Sequence, residues 1–326
     1  MVSLEALHKI LVIEDDPASA ELLKEVLEQV NYRVIVAHDG RNGVKLANQE
    51  LPDLAIVDVM LPTLNGFEVC EQIRSNQALM TLPIIVLTVF NEPQHRVRAI
   101  KAGATDFLNK PFDRLELLTR IRSLLDLKDE ISKRELFQDV AYCLMTALNS
   151  RSPNVASHSR RVAKLVEQLG MRLSTPTNMI SELVTGALLH DIGKLGLILS
   201  PEVVPEDLSE DERTIWKQHP LIGEKMFSRF HRPIVQKIIR SHHERVSGGG
   251  FPDSLAGPAL EFPVRIVALC NRFDQISKGE PENWGEAIKT LQFETGQGYW
   301  DSNVLKELEK LLKLYSELGM NPYKGL

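Results

Sequence analysis

The sequence predicts an α/β doubly wound domain on a five-stranded parallel sheet at residues 8–127, followed by an all-α domain at 136–326. Three observations predict it. Five short β-branched-rich runs alternate with helix-period segments up to residue 125. Histidine-bearing segments that read as helices or helix ends follow. The 326 residues suffice for about two domains, each able to bury a core.

The first run, KILVI from residue 9, is followed by PASAELLKEVLEQ, where Asp16 before Pro17 has the form of a helix cap. RVIVA then leads to the helical GRNGVKLANQ, LAIVDV to NGFEVCEQIRS, and PIIVLT to EPQHRVRAIKA. TDFLNK is the fifth run, and DRLELLTRIRSLL closes the unit. Right-handed crossovers place helices on both faces of such a sheet. Between 113 and 150 there is neither Gly nor Pro, which predicts a long connecting helix. Its apolar set is Leu115, Leu118, Ile121 and Leu125, resuming at Leu136, Val140, Leu144 and Leu148. That broken stripe leaves two arrangements open, pairing in a homodimer or packing onto its own domains.

A net charge of −6 gives no bulk positive field for a phosphate backbone, so DNA is not an expected partner, while small anionic ligands remain open. Cys70, Cys143 and Cys270 are far apart in apolar runs, as buried thiols in a reducing compartment would be. There is no signal-peptide pattern at the start and no apolar run of the ~18 residues a membrane span needs. A cytoplasmic protein with no membrane association is expected.

In open parallel sheets, ligands bind outside the carboxyl ends of the strands. Here those ends are polar: Glu14, Asp15 and Asp16 after the first run, Asp58 after the third, Thr88 after the fourth and Lys110 after the fifth. Converging carboxylates call for a divalent cation, and oxygen-only ligands favour Mg²⁺. A carboxylate beside that ion can act as a nucleophile toward phosphorus, with Thr88 and Lys110 contacting the phosphoryl oxygens.

The motifs LVIEDDP, VDVMLPTLNGFE, LTVF and NKPF stand in this order, and with them residues 8–127 resemble the flavodoxin-like receiver domain of two-component response regulators. The resemblance implies that Glu14 and Asp15 are the acidic pair, Asp58 the phosphoacceptor, and Met60 the donor of a backbone carbonyl to Mg²⁺. It makes Thr88 the switch hydroxyl, Lys110 the phosphate-binding lysine and Phe107 the aromatic that changes rotamer with Thr88. A sensor histidine kinase is the implied partner.

The second part concentrates histidine: His158, His190, His219, His231, His242 and His243 are six of the nine in the chain. Imidazoles with a carboxylate select transition metals. His190 and Asp191 end the apolar helical run LVTGALLHD, so Asp191 can bridge two ions, and Lys194, four residues after His190, is expected over the same helix face. His8, His38, His95 and His231 read singly, as ordinary surface or core residues.

The pieces ALNSRSPNVASHSRRV, ALLHDIGKLGL, KQHPLIGEKM and SHHERVSGGGFPDSLAGPALEFPVRIVAL resemble the HD superfamily of metal-dependent phosphohydrolases, and within it the HD-GYP domains that hydrolyse cyclic di-GMP. The resemblance implies His158, His190, Asp191, His219, His242 and His243 as ligands of one or two ions, Fe or Mn, and Lys194 as the substrate-phosphate lysine. The pattern also departs. Gly250-Phe251-Pro252 replaces Gly-Tyr-Pro, Ser247-Gly248 stands where Asp-Gly is expected, and Asn271 replaces an aspartate ligand, with Asp274 in a supporting place. Asn154 stands where three-metal versions carry glutamate, and a substrate segment rich in Arg, Pro and Tyr is missing between Ser277 and Trp284. Two readings follow: a response regulator controlling a cyclic di-GMP phosphodiesterase, or a degenerate HD module that binds nucleotide or protein without turnover. A third is an HD hydrolase of another phosphoester.

Overall fold

The computed structural model describes residues 7–89 and 93–323. The expectations for Phe90, in the LTVF motif, and for the His95 side chain fall outside what is described. The chain divides into two compact units, Met1–Glu135 and Leu136–Leu326.

The first unit contains β1 (Lys9–Ile13), α1 (Pro17–Glu28), β2 (Arg33–Ala37), α2 (Gly40–Glu50), β3 (Leu54–Asp58), α3 (Gly66–Arg74), β4 (Ile84–Thr88), α4 (Pro93–Lys101) and β5 (Asp106–Asn109). The start of α5 (Arg114–Arg151) completes it. The strands are all parallel in the order β2-β1-β3-β4-β5. Val12 of β1 lies opposite Val36 on one side and Ile56 on the other. The order reverses at the β1/β3 boundary, which places the ends of those two strands at the crevice where such sheets bind ligands.

Alternation along the strands splits the core in two. Leu11, Ile13, Ala55, Val57, Ile84 and Val86 pack with Ala47, Phe67, Cys70, Ile73 and Ala99 of α2, α3 and α4. Ile10, Val12, Leu54, Ile56, Ile85 and Leu87 pack with Leu23 and Leu27 of α1 and Leu117, Ile121 and Leu125 of α5. Covered faces on both sides are why these strands read as continuous apolar runs rather than alternating ones. Asp16 caps α1, accepting from the backbone N–H and the hydroxyl of Ser19.

One uninterrupted helix, α5, spans the connector, and its buried stripe shares Ile121, Leu125 and Leu148 with the expected one but differs at other positions. Leu117, Ile121 and Leu125, then Phe137, Ala141, Met145 and Leu148, are buried, whereas Leu115 and Leu136 are exposed. Both stripes have helical spacing; which one faces inward depends on what packs against the helix, and periodicity alone carries no such information. For the same reason Cys143 is exposed, contrary to expectation, while Cys70 and Cys270 are buried.

In the second unit, α5 stops before Pro153, which opens α6 (Pro153–Arg172) with Ser152 as its cap. There follow α7 (Thr177–Leu189), α8 (Glu210–Trp216), α9 (His219–Met226), α10 (Pro233–Ser241), α11 (Phe262–Ser277), α12 (Trp284–Gly296) and α13 (Ser302–Glu317). The inward side chains of α6, α7, α11, α12 and α13 form one core, among them Val162, Leu183, Val267, Phe273, Leu291 and Leu308. Phe137, Leu148, Leu189, Phe227 and Ile239 belong to a second. The GQGYWD turn and α13 close this unit: Val246 N–H donates to the Tyr299 carbonyl, and Trp300 Nε1–H to Glu294. No helix among the described residues is long and apolar enough to cross a membrane.

Candidate functional site

At the β1/β3 crevice of the first unit, Glu14, Asp15 and Asp58 each offer an oxygen, all within 4.8 Å of one another. Lys110 Nζ donates to Glu14 Oε2 at 2.7 Å and lies 3.2 Å from Asp58 Oδ2. Burial pushes the Glu14 carboxyl above its usual range despite Lys110. Burial works against the Lys110 ammonium, but its bond to Glu14 and the charge of Asp58 outweigh that and raise its pKa. Three acidic groups against one ammonium leave the excess negative charge that a divalent ion would neutralise. Thr88 is buried at the end of β4, its carbonyl accepting from Lys110 N–H at 2.7 Å. Phe107 on β5 packs on the α4 side of the core, and Met60 stands exposed two residues beyond Asp58. The approach is close here: a Cβ at Gly66 would lie 2.3 Å from the Asp58 carbonyl oxygen, so α3 can start against the end of β3 because residue 66 is glycine.

In the second unit the helix ends converge. Asp191, His219, His242 and His243 offer atoms all within 4.8 Å of one another, and His158, His190 and Asp191 do the same. Asp191 is common to both sets, and its two oxygens face different partners. Oδ1 lies 3.3 Å from His219 Nε2 and 3.7 Å from His242 Nε2, while Oδ2 lies 3.5 Å from His190 Nε2 and accepts from Lys194 Nζ at 2.7 Å. Three of the rings are set by one local device. Nδ1 of His190, His219 and His242 faces the carbonyl three residues back, of Ala187, Trp216 and Ile239, at 2.7–2.8 Å. Those carbonyls belong to the last turns of α7, α8 and α10, where helix acceptors lack intrahelical partners. A carbonyl only accepts, so Nδ1 carries the proton and Nε2 keeps its lone pair for the centre.

Burial pushes all four imidazoles, His190, His219, His242 and His243, below their ordinary range, His190 to about 4. They are therefore neutral, the form that binds metal. Burial alone would raise the Asp191 carboxyl, but the charge of Lys194 outweighs it and holds the group well below the usual range. His219 Nε2 and His242 Nε2 stand 3.2 Å apart, and the buried Nε2 atoms of His190 and His243 find no hydrogen-bond partner among the described residues. Lone pairs turned toward each other without protons between them are repulsive unless a cation lies among them. The residues present therefore fit a transition metal: neutral nitrogen donors, one carboxylate common to both sets and a dry surround.

His158, on α6, sits between two residues of α11, with Nδ1 2.7 Å from Asp274 Oδ2 and Nε2 2.9 Å from Asn271 Oδ1. Lys194 departs from its expected place. The turn after Asp191 is a 3-10 turn rather than more α-helix, and the side chain meets Asp191. His8 lies between Asp53 and Asp129 in the first unit, His38 Nδ1 is 3.2 Å from the Glu14 carbonyl, and His231 is exposed. Asn154 is exposed as well.

Four residues that sequence reading passed over complete the surround. Trp216, three residues before His219, packs against the rings of His219, His243 and Phe251, with the Phe251 ring stacked on His243 at 4.4 Å. Glu244, buried next to His243 in the chain, accepts from the backbone N–H groups of Asp253 and Leu255 and so ties down the loop that carries Phe251. Arg161 pairs with Asp274, and Gln275 donates to Asn271. For Trp216 and Arg161 the signal was present, a spacing of three from a histidine, but that spacing is too common to be informative alone.

The turn after Asp191 also has a steric requirement. A Cβ at Gly193 would lie 1.9 Å from the His219 carbonyl oxygen and 2.6 Å from Gly223 N. Gly193→Ala is expected to cost about 1–3 kcal/mol or more by forcing these backbones apart. Urea unfolding of the second unit's transition checks it, and bound metal, counted by mass spectrometry, should fall in parallel.

Residues 10–122 match the family described as the response regulator receiver domain, and residues 142–304, half of the chain, match the HD domain. A "Cyclic di-GMP phosphodiesterase" of Thermotoga maritima is 29% identical, covering 95% of this chain and 91% of its own length. The "Cyclic di-GMP phosphodiesterase response regulator RpfG" of Xanthomonas campestris is 27% identical, covering 84% and 80%.

Proposed function

We propose, from the premise that this chain belongs to the HD domain family and bears a response regulator receiver domain ahead of it, that it is a phosphorylation-controlled, metal-dependent phosphodiesterase acting on cyclic di-GMP. The observation that carries the reading is Asp191, which is common to both donor sets, its Oδ1 facing His219 and His242 and its Oδ2 facing His190. Bound ions supply Lewis-acid stabilisation of charge developing on phosphoryl oxygens and acidify water. The chain's part is to hold them: His219, His242, His243 and Asp191 on one side, His158, His190 and Asp191 on the other, with Fe or Mn suiting these donors. Lys194, resting on Asp191, is the cation that can exchange that carboxylate oxygen for a substrate phosphate oxygen. Phe251 and Trp216 wall the centre with apolar surface that excludes bulk water.

In the receiver, an Asp58 oxygen attacks phosphorus of a phosphodonor such as a histidine kinase's phosphohistidine, whose P–N bond breaks as the aspartyl phosphate forms. Glu14, Asp15, Asp58 and the Met60 carbonyl hold Mg²⁺, Lys110 pairs with the phosphoryl group, and Thr88 with Phe107 shifts the signalling face.

The test is hydrolysis of cyclic di-GMP by full-length protein loaded anaerobically with Fe²⁺ or Mn²⁺, with and without acetyl phosphate. Turnover to the linear dinucleotide or GMP that changes with phosphodonor is expected. Asn271→Asp is expected to raise it roughly 10-fold by restoring a charged ligand, and no change would count against Asn271 lying at the centre. A second reading, a nucleotide-binding module without turnover, rests on the Asn271 amide, engaged with His158 and Gln275 and bringing no charge. Metal-loaded protein that binds the dinucleotide without cleaving it would establish that reading instead.

A further inference from the structure

His158 is held unlike the other rings of the centre. It lies inside α6 rather than at a helix end, where backbone carbonyls are already engaged by the helix ladder, so its Nδ1 partner is brought by α11. That partner, Asp274, has a fully buried side chain and is fixed in turn by Arg161, whose Nε donates to Oδ1 and whose terminal nitrogen donates to Oδ2, both at 2.8 Å. Arg161 follows His158 by three positions, so one face of α6 carries both the ring and the guanidinium, and both close on a single carboxylate. The turn after α11 is shaped around this pair: a Cβ at Gly279, where φ is +79°, would lie 2.5 Å from Arg161 Cδ.

We propose that Arg161 is a positioning residue for the ion held by His158, His190 and Asp191. A bidentate fork fixes the plane of the Asp274 carboxylate, and that plane fixes the His158 ring, whose Nδ1 it holds at 2.7 Å and whose Nε2 faces Asn271 Oδ1 at 2.9 Å. Lysine, a point charge with no fork, holds the carboxylate less well. The inference rests on the reading of these histidines as metal ligands and adds that one ion position depends on a residue that touches neither ion nor substrate.

The experiment is Mn²⁺ titration of metal-stripped, full-length protein, with Mg²⁺ present to fill the receiver's carboxylate rim and free Mn²⁺ read by electron paramagnetic resonance. His158→Ala identifies which binding class belongs to the His158 side. Arg161→Gln is expected to weaken that class about 10–100-fold and to leave the ion of Asp191, His219, His242 and His243 unchanged. Arg161→Lys, which keeps the buried charge, is expected to fall between and carries the test should the glutamine variant not fold. Unchanged affinities in a folded variant overturn the proposal, as does equal weakening of both classes, the mark of general loosening. Wild-type protein that binds no Mn²⁺ overturns the metal reading itself, an outcome recognisable before any variant is made.

Discussion

Asp191→Ala is expected to remove both ions at once and with them phosphodiester hydrolysis, a fall of roughly 10³-fold or more in kcat/KM, about 4 kcal/mol of transition-state stabilisation. The magnitude follows from geometry. Each histidine serves one donor set, whereas Asp191 serves both and brings the one carboxylate found among these two sets. The variant also leaves Lys194 without its 2.7 Å partner, so an ammonium would stand beside imidazoles that should be gathering cations. Metal content by mass spectrometry, beside the cyclic di-GMP assay, checks the prediction. Retention of two ions in the alanine variant would show that the carboxylate is not the bridge.

Asp58→Asn is expected to abolish phosphorylation by acetyl phosphate, seen as loss of the phosphoryl mass increment in the intact protein. An amide oxygen is a poor nucleophile toward phosphorus, and Lys110, 3.2 Å from Asp58, loses one of its two carboxylate partners while keeping Glu14. The fold should persist, since Asp58 sits at the strand's end and its backbone pairing with Leu87 does not involve the side chain. Labelling that survives the substitution would place the phosphoacceptor elsewhere. Any effect of acetyl phosphate on cyclic di-GMP turnover should vanish in the same variant, which ties the two chemistries of the chain together.

Much of this was legible in the residues. Five apolar runs with polar ends dictate a parallel sheet with a charged rim, because a strand covered on both faces must be apolar throughout and the crevice lies where strands stop. The cap of the first helix was equally local: Asp16 precedes a proline, which cannot continue a helix from before it. His190, His219 and His242 also owe their orientation to local structure, since each ring proton satisfies a carbonyl three residues back at a helix end.

What the sequence determined by itself was residue type and spacing: which carboxylates end strands, which imidazoles end helices, and that one cluster of donors is all oxygen while the other is chiefly nitrogen. Tertiary structure decided whatever depends on rotation about a helix axis or on partners distant in the chain. It chose Leu117 over Leu115 as the buried face of α5, left Cys143 exposed, and turned Lys194 onto Asp191 through a 3-10 turn. It also joined Arg161 to Asp274 across 113 positions. Periodicity specifies that a helix has an apolar face, and spacing that two side chains share a turn. The direction in which that face points is set by the energy of packing and pairing with other elements, which no local stretch of sequence contains.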